Sequence, residues 1–149
     1  MTETLTVTSD AFAEGAAIPA RHTCDGEDVS PALAWSPGPD GTAAFAIIVD
    51  DPDARGFVHW LAADIGSSRN NLAEGAFGGS AGIEGLNDFG QTVYRGPCPP
   101  ALHRYVFEVF AVSATLDLSP GYSVEDLRAA MDGKVLASGR LSGTYQRGG

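Results

Sequence analysis

The chain has 149 residues, 44% hydrophobic and 19% charged, with 19 acidic against 9 basic residues and a formal net charge of −10. That hydrophobic content excludes an ordinary disordered chain, and the length suits one domain, read as residues 1–149. Lys134 is the single lysine and the arginines are scattered, which excludes a basic groove for nucleic acid or an anionic membrane surface.

In chain order, Leu5 to Thr8 alternates weakly, and Ser36-Pro-Gly-Pro-Asp-Gly41 is a dense turn signal. Ala43 to Asp50 is a continuous apolar run, the pattern of a strand covered on both faces. Phe57 to Ile65 and Tyr105 to Ala114 are rich in aromatic and β-branched residues, as strands are. Between them Gly66 to Gln91 is glycine-dense and predicts one long loop, of the kind that is usually functional or mobile. A helix is predicted after Ser123: that residue can cap it, Glu125 and Asp126 suit its positive first turn, and Gly133 would stop it. Lys134 to Gln146 reads as a last strand whose glycines suggest bulges. Strands dominate without βαβ alternation, so the fold class is an all-β sandwich with one or two short peripheral helices.

No apolar run approaches the roughly 18 residues of a membrane span. The first residues, Met1 to Leu5, lack the basic-then-apolar order of a secretory signal, so a cytoplasmic chain is expected. In a reducing compartment Cys24 and Cys98 default to two free thiols, and two cysteines make neither a disulfide framework nor a four-ligand zinc site alone. No cofactor or metal is expected.

Three histidines exist, and two fall on predicted strands. Period two puts His59 on one face with Phe57 and Leu61, opposite Val58 and Trp60, and puts His103 with Tyr105. Asp51 follows the buried strand directly. Asp51, His59, His103 and Tyr105 can therefore meet at one rim of the sandwich. Each also has a plainer reading: a core histidine, an Asp-Pro turn, a core tyrosine. In Gly96-Pro-Cys-Pro-Pro100 the prolines remove backbone donors and stiffen the loop, so the Cys98 N–H can face a ligand without an ordering cost. The plainer reading there is a rigid connector.

Taken together, these blocks resemble the phosphatidylethanolamine-binding protein family, in its bacterial, Raf-kinase-inhibitor-like branch. They are Cys24-Asp-Gly26 with Ser30-Pro31, Asp50-Asp-Pro-Asp-Ala54, Val58-His-Trp60 and Gly85-Leu-Asn-Asp-Phe-Gly90, followed by Tyr94-Arg-Gly-Pro-Cys-Pro-Pro100, His103-Arg-Tyr105 and Gly143-Thr-Tyr145. The resemblance implies a Greek-key sandwich of two antiparallel sheets with a small anion pocket at one end. That pocket would take phosphate, carboxylates or a phosphoethanolamine head group, lined by Asp51, His59, Cys98 (main chain), Pro100, His103 and Tyr105. It also implies a cis Asp51-Pro52 peptide and, by analogy, a kinase or protease partner. Where the family pattern has proline, Arg55 adds a cation near the mouth. A missing glycine between Pro100 and His103 tightens the rim. The end at Gly149 implies that the helix bordering the pocket in animal members is absent, leaving the site more open.

The expected activity is non-enzymatic binding by a monomer or homodimer. His59 and His103 N–H, Tyr105 O–H and Cys98 N–H would be the donors, with Asp51 charging an imidazole and binding weakening as pH rises. Arg104 should face away and pair with Asp53. The alternatives are a hydrolase using Cys98 with His103 or His59, a metal held by the histidines with Asp51, or a purely structural sandwich.

Overall fold

Period-two alternation opens the structure, a computed structural model that describes residues 3–76 and 81–147. Leu5 and Val7 are buried between exposed threonines, and the chain forms β1 (Glu3–Thr4) and β2 (Val7–Thr8). A 3-10 turn at Ala20–His22 precedes β3 (Leu33–Trp35). The apolar run becomes β4 (Ala44–Asp51), joined through a 3-10 turn at Pro52–Ala54 to β5 (Phe57–Gly66). The glycine-dense stretch is not one loop: it contributes β6 (Asn71–Leu72) and β7 (Ile83–Glu84), while its residues 77–80 lie outside the described residues. These two strands exist because β3 and β5 offer them backbone partners, which local composition does not encode. β8 (His103–Val112), α1 (Val124–Met131) and β9 (Val135–Tyr145) complete the chain.

The helix forms as its caps dictate. Ser123 Oγ accepts from Asp126 N at 3.0 Å while the Asp126 carboxylate accepts from Ser123 N, and Gly133 follows with φ 77°. Leu127 and Met131, one turn apart, are its buried face.

The large sheet runs β1-β9-β8-β4-β5-β7 and the small one β2-β3-β6. Within the large sheet, β4, β5 and β7 are consecutive and β8 returns to lie beside β4, the Greek-key order. Its pairings are antiparallel except that β1 runs parallel to β9. Between the sheets lies a core that includes Trp35, Phe45, Trp60, Tyr105, Phe107 and Leu141. A second cluster, with Ile48, Leu61, Phe110 and Leu127, sits under α1 on the outer face. β4 therefore has both faces covered, and its apolar run has no polar alternation to keep.

The glycines of β9 do not make bulges. Pairing with β8 runs unbroken through Gly139 and Gly143, and the slip falls between Ala137 and Val135. The glycines serve close approach instead: a Cβ at Gly139 would strike the Leu5 carbonyl, and one at Gly143 would meet Ile18 and the Phe12 ring. Among the described residues, no helix is long and apolar enough to cross a membrane.

Candidate functional site

At one end of the large sheet, the last residue of β4 and the first residues of β5 and β8 come together. Asp51 ends β4 with only 3% of its surface exposed. Its Oδ2 accepts the Nδ1–H of His103 at 2.6 Å, and its Oδ1 accepts from the Asp53 amide at 2.9 Å. Both oxygens of a buried carboxylate are thus engaged, as burial of the charge requires. The Asp51-Pro52 peptide is trans, contrary to the cis expectation. No kink is needed, because extended backbone at Asp51 (φ −116°, ψ 97°) leads straight into a 3-10 turn whose first position suits proline.

His59 reaches the same place by a route the alternation misassigned. Across β4 and β5, Val49 faces Trp60 and Asp50 faces Val58, so His59 is one extra residue, a β-bulge. Beyond the bulge the faces exchange. Trp60 enters the inner core, whereas Val58 and Leu61 both pack in the outer cluster. The His59 ring lies 5.3 Å from that of Tyr105, edge-on, and 5.2 Å from that of Phe57. Its Nδ1–H donates to the Arg95 carbonyl at 2.7 Å, so the expected donor from this nitrogen to a ligand is spent on the backbone. Burial holds the His59 pKa below the ordinary histidine value, outweighing the hydrogen bond to Arg95 and the charges of Asp51, Asp28 and Asp88. Tyr105, 2% exposed, is pushed the other way by burial and by Asp51 and Asp53, so its phenol keeps its proton.

These groups line an open hollow of about 210 Å³ together with Ala54, Phe57, Phe89, Cys98 and Pro99. Five of the six expected residues, Asp51, His59, Cys98, His103 and Tyr105, line it. Pro100 does not: it is exposed, and buried Pro99 is the wall in its place. The loop is registered from outside itself, through Cys24 N donating to Pro97 O and Arg147 N to Pro99 O, both at 3.1 Å. Cys24 and Cys98 are joined in a disulfide, with 5.4 Å between their Cα atoms, instead of standing as free thiols. The Cys24–Pro97 backbone bond brings the two segments to that distance. Arg104 does not line the hollow and engages Asp53 as expected, but through the backbone and not as a side-chain ion pair. Asp53 accepts from its backbone amide at 2.8 Å, and the side chain is exposed.

The residues that sequence reasoning missed are chiefly the aromatic wall. Phe57 and Phe89 meet edge to face at 5.0 Å, and Phe89 stands 5.5 Å from the His59 ring. Asn87 fixes this loop: its Oδ1 accepts from Phe89 N and Gln91 N, and its Nδ2 donates to Val93 O. Asp88 then pins the loop to Val58 of β5 through two backbone-directed bonds. The available signal was a large aromatic residue, Phe89, set among the turn formers Asn87, Asp88 and Gly90.

The sequence pattern of the phosphatidylethanolamine-binding protein family matches residues 8–146. A UPF0098 protein of Aquifex aeolicus is 45% identical over 150 residues, covering 95% of this chain and 88% of its own length. A UPF0098 protein of Methanothermobacter thermautotrophicus is 42% identical over 145 residues, covering 93% and 96%. Among solved structures, the fold resembles a chain from Chlamydia trachomatis described as a phosphatidylethanolamine-binding protein homolog, with TM-score 0.91 at 36% identity and 98% and 99% coverage. It also resembles YbcL of E. coli, described as a new member of the mammalian family, with TM-score 0.88, 28% identity and 95% and 98% coverage.

Proposed function

The chain belongs to the phosphatidylethanolamine-binding protein family, and from that premise we propose that its rim hollow binds small anions without transforming them: phosphate, a phosphoethanolamine-type head group or a carboxylate. The observation that carries this reading is the Asp51–His103 pair, 2.6 Å apart, set beside Tyr105 and His59 in a cavity open to solvent. A volume of about 210 Å³ suits a phosphate or head group and falls below that of pockets for drug-sized molecules, about 300–1,000 Å³. Because the net charge of −10 repels anions at long range, affinity must come from these few contacts.

Binding is favoured over catalysis by what lines the hollow. The Cys98 sulfur is held in the disulfide and supplies no thiolate, and the described lining residues include no serine, threonine or lysine. His103 with Asp51 has the orientation of a base held by a carboxylate, but the hydroxyl-bearing residue stacked beside it is Tyr105, whose phenol burial holds in the protonated form.

The test is a titration of inorganic phosphate and of phosphoethanolamine into the protein, followed by amide and side-chain NMR shifts. Changes should centre on Asp51, His59, His103 and Tyr105 and weaken in His103→Ala. Saturable shifts elsewhere, or none up to the solubility limit, would refute the reading.

A further inference from the structure

The side of His59 left for a ligand does not suit a fully deprotonated anion. His59 Nδ1–H is committed to the Arg95 carbonyl, so the nitrogen on the other side of the ring, Nε2, is what remains for a ligand. In the neutral ring that nitrogen is a lone pair and not a donor. The groups around it do not reverse this. Asp51 from β4 is already occupied by His103 and Asp53, while Asp88 from the 86–93 loop and Asp28 add only negative charge. Arg95 contributes its carbonyl here, with its guanidinium turned to Asp28 at 3.3 Å. Tyr105, on β8, is a neighbouring O–H donor, and His103 of the same strand, whose Nδ1–H is spent on Asp51, faces the hollow beside it.

We propose that the hollow selects anions that carry a proton of their own, with phosphomonoesters and inorganic phosphate preferred over phosphodiesters such as an intact phospholipid head group. The ligand O–H donates to His59 Nε2, and an ionised ligand oxygen accepts from the Tyr105 hydroxyl. A diester has no O–H to give, so it leaves His59 Nε2 unpaired or must draw a proton from solvent onto a buried ring. Leaving a buried acceptor unpaired is what makes such sites discriminate against the analogue that lacks a hydroxyl. This inference rests on the anion-binding reading and narrows it.

The experiment compares phosphoethanolamine, a monoester, with glycerophosphoethanolamine, a diester bearing the same amine, by isothermal titration calorimetry in buffers of different ionisation enthalpy. At pH 6 the monoester should bind about tenfold or more tightly than the diester. Its uptake of protons should be near zero at pH 5 and approach one at pH 8, because the second phosphate proton is lost near pH 6. In His59→Asn, whose amide can still donate to the Arg95 carbonyl but offers no Nε2, the preference should collapse. Equal affinities without proton uptake would overturn this inference and leave anion binding intact. Failure of both ligands and of inorganic phosphate to bind would overturn the two together. The wild-type comparison decides the question even if the variant does not fold.

Discussion

Cys24 is covalently bonded to Cys98 across 74 residues of chain. The bond ties the segment after the Ala20–His22 turn to the proline loop whose Pro99 walls the hollow. The same two segments are already held by Tyr94 Oη donating to the His22 carbonyl at 2.8 Å and by Gly96 N donating to Asp28 at 2.7 Å. Both cysteines are exposed, so a small thiol can reach the bond.

Reduction of this bond should therefore loosen the site as well as the fold. Cys24→Ser with Cys98→Ser, or reduction of the wild type, is expected to remove about 2–5 kcal/mol of stability by restoring freedom to the unfolded chain. Phosphate affinity should fall at the same time. Thermal unfolding with and without dithiothreitol measures the first effect and calorimetry the second. An unchanged melting temperature would contradict the role given to the bond.

Replacing Asp51 by asparagine separates orientation from charge. The side chain keeps one acceptor oxygen for two donors, His103 Nδ1–H and Asp53 N, so about 1–3 kcal/mol of stability should be lost. Anion affinity should also fall, because the His103 ring loses the partner that aims it. If the carboxylate acted on the ligand mainly by repulsion, affinity would rise instead, and the sign of the change decides.

The lowered pKa of His59 fixes the direction of one pH effect. Below about pH 6.5 the unfolded chain takes up a proton that the buried native ring resists. The unfolded state then binds more protons, so stability falls as pH falls from that value toward the native pKa. Asp25 and Glu74, both held low by hydrogen-bonded partners, act in the same sense at more acid pH. Urea midpoints between pH 7.5 and 5 should decline in the wild type and decline less in His59→Asn. Parallel curves would mean that His59 does not carry the slope.

Two glycine substitutions test why β9 contains glycine. Gly139→Ala drives a methyl group into the Leu5 carbonyl where β1 passes, and should cost about 1–3 kcal/mol or more, with displacement of β1. Gly66→Ala at the end of β5 meets nothing within 4 Å and should be close to neutral. Equal denaturation midpoints for the two variants would remove the close-approach explanation.

Much of this protein was determined by its sequence alone, wherever the deciding interactions are local. The apolar run of β4, the aromatic and β-branched runs of β5 and β8, and the Ser123-capped helix were legible because each follows from spacing within a few residues. So was the meeting of Asp51, His103 and Tyr105 at one rim, since strand ends and parity bring them there without a register slip. The tertiary structure decided the rest. His59 changes company because a bulge is set by pairing with β4, and Leu61 is thereby sent to the opposite face. Pro99 displaces Pro100, and Cys24 finds Cys98, because backbone bonds from distant segments register a loop whose own prolines define its stiffness but not its position. β6 and β7, and the use of Gly139 and Gly143, depend on which neighbours arrive beside them. Local periodicity is written in adjacent residues, whereas register and close approach belong to pairs of segments, and no single segment contains that information.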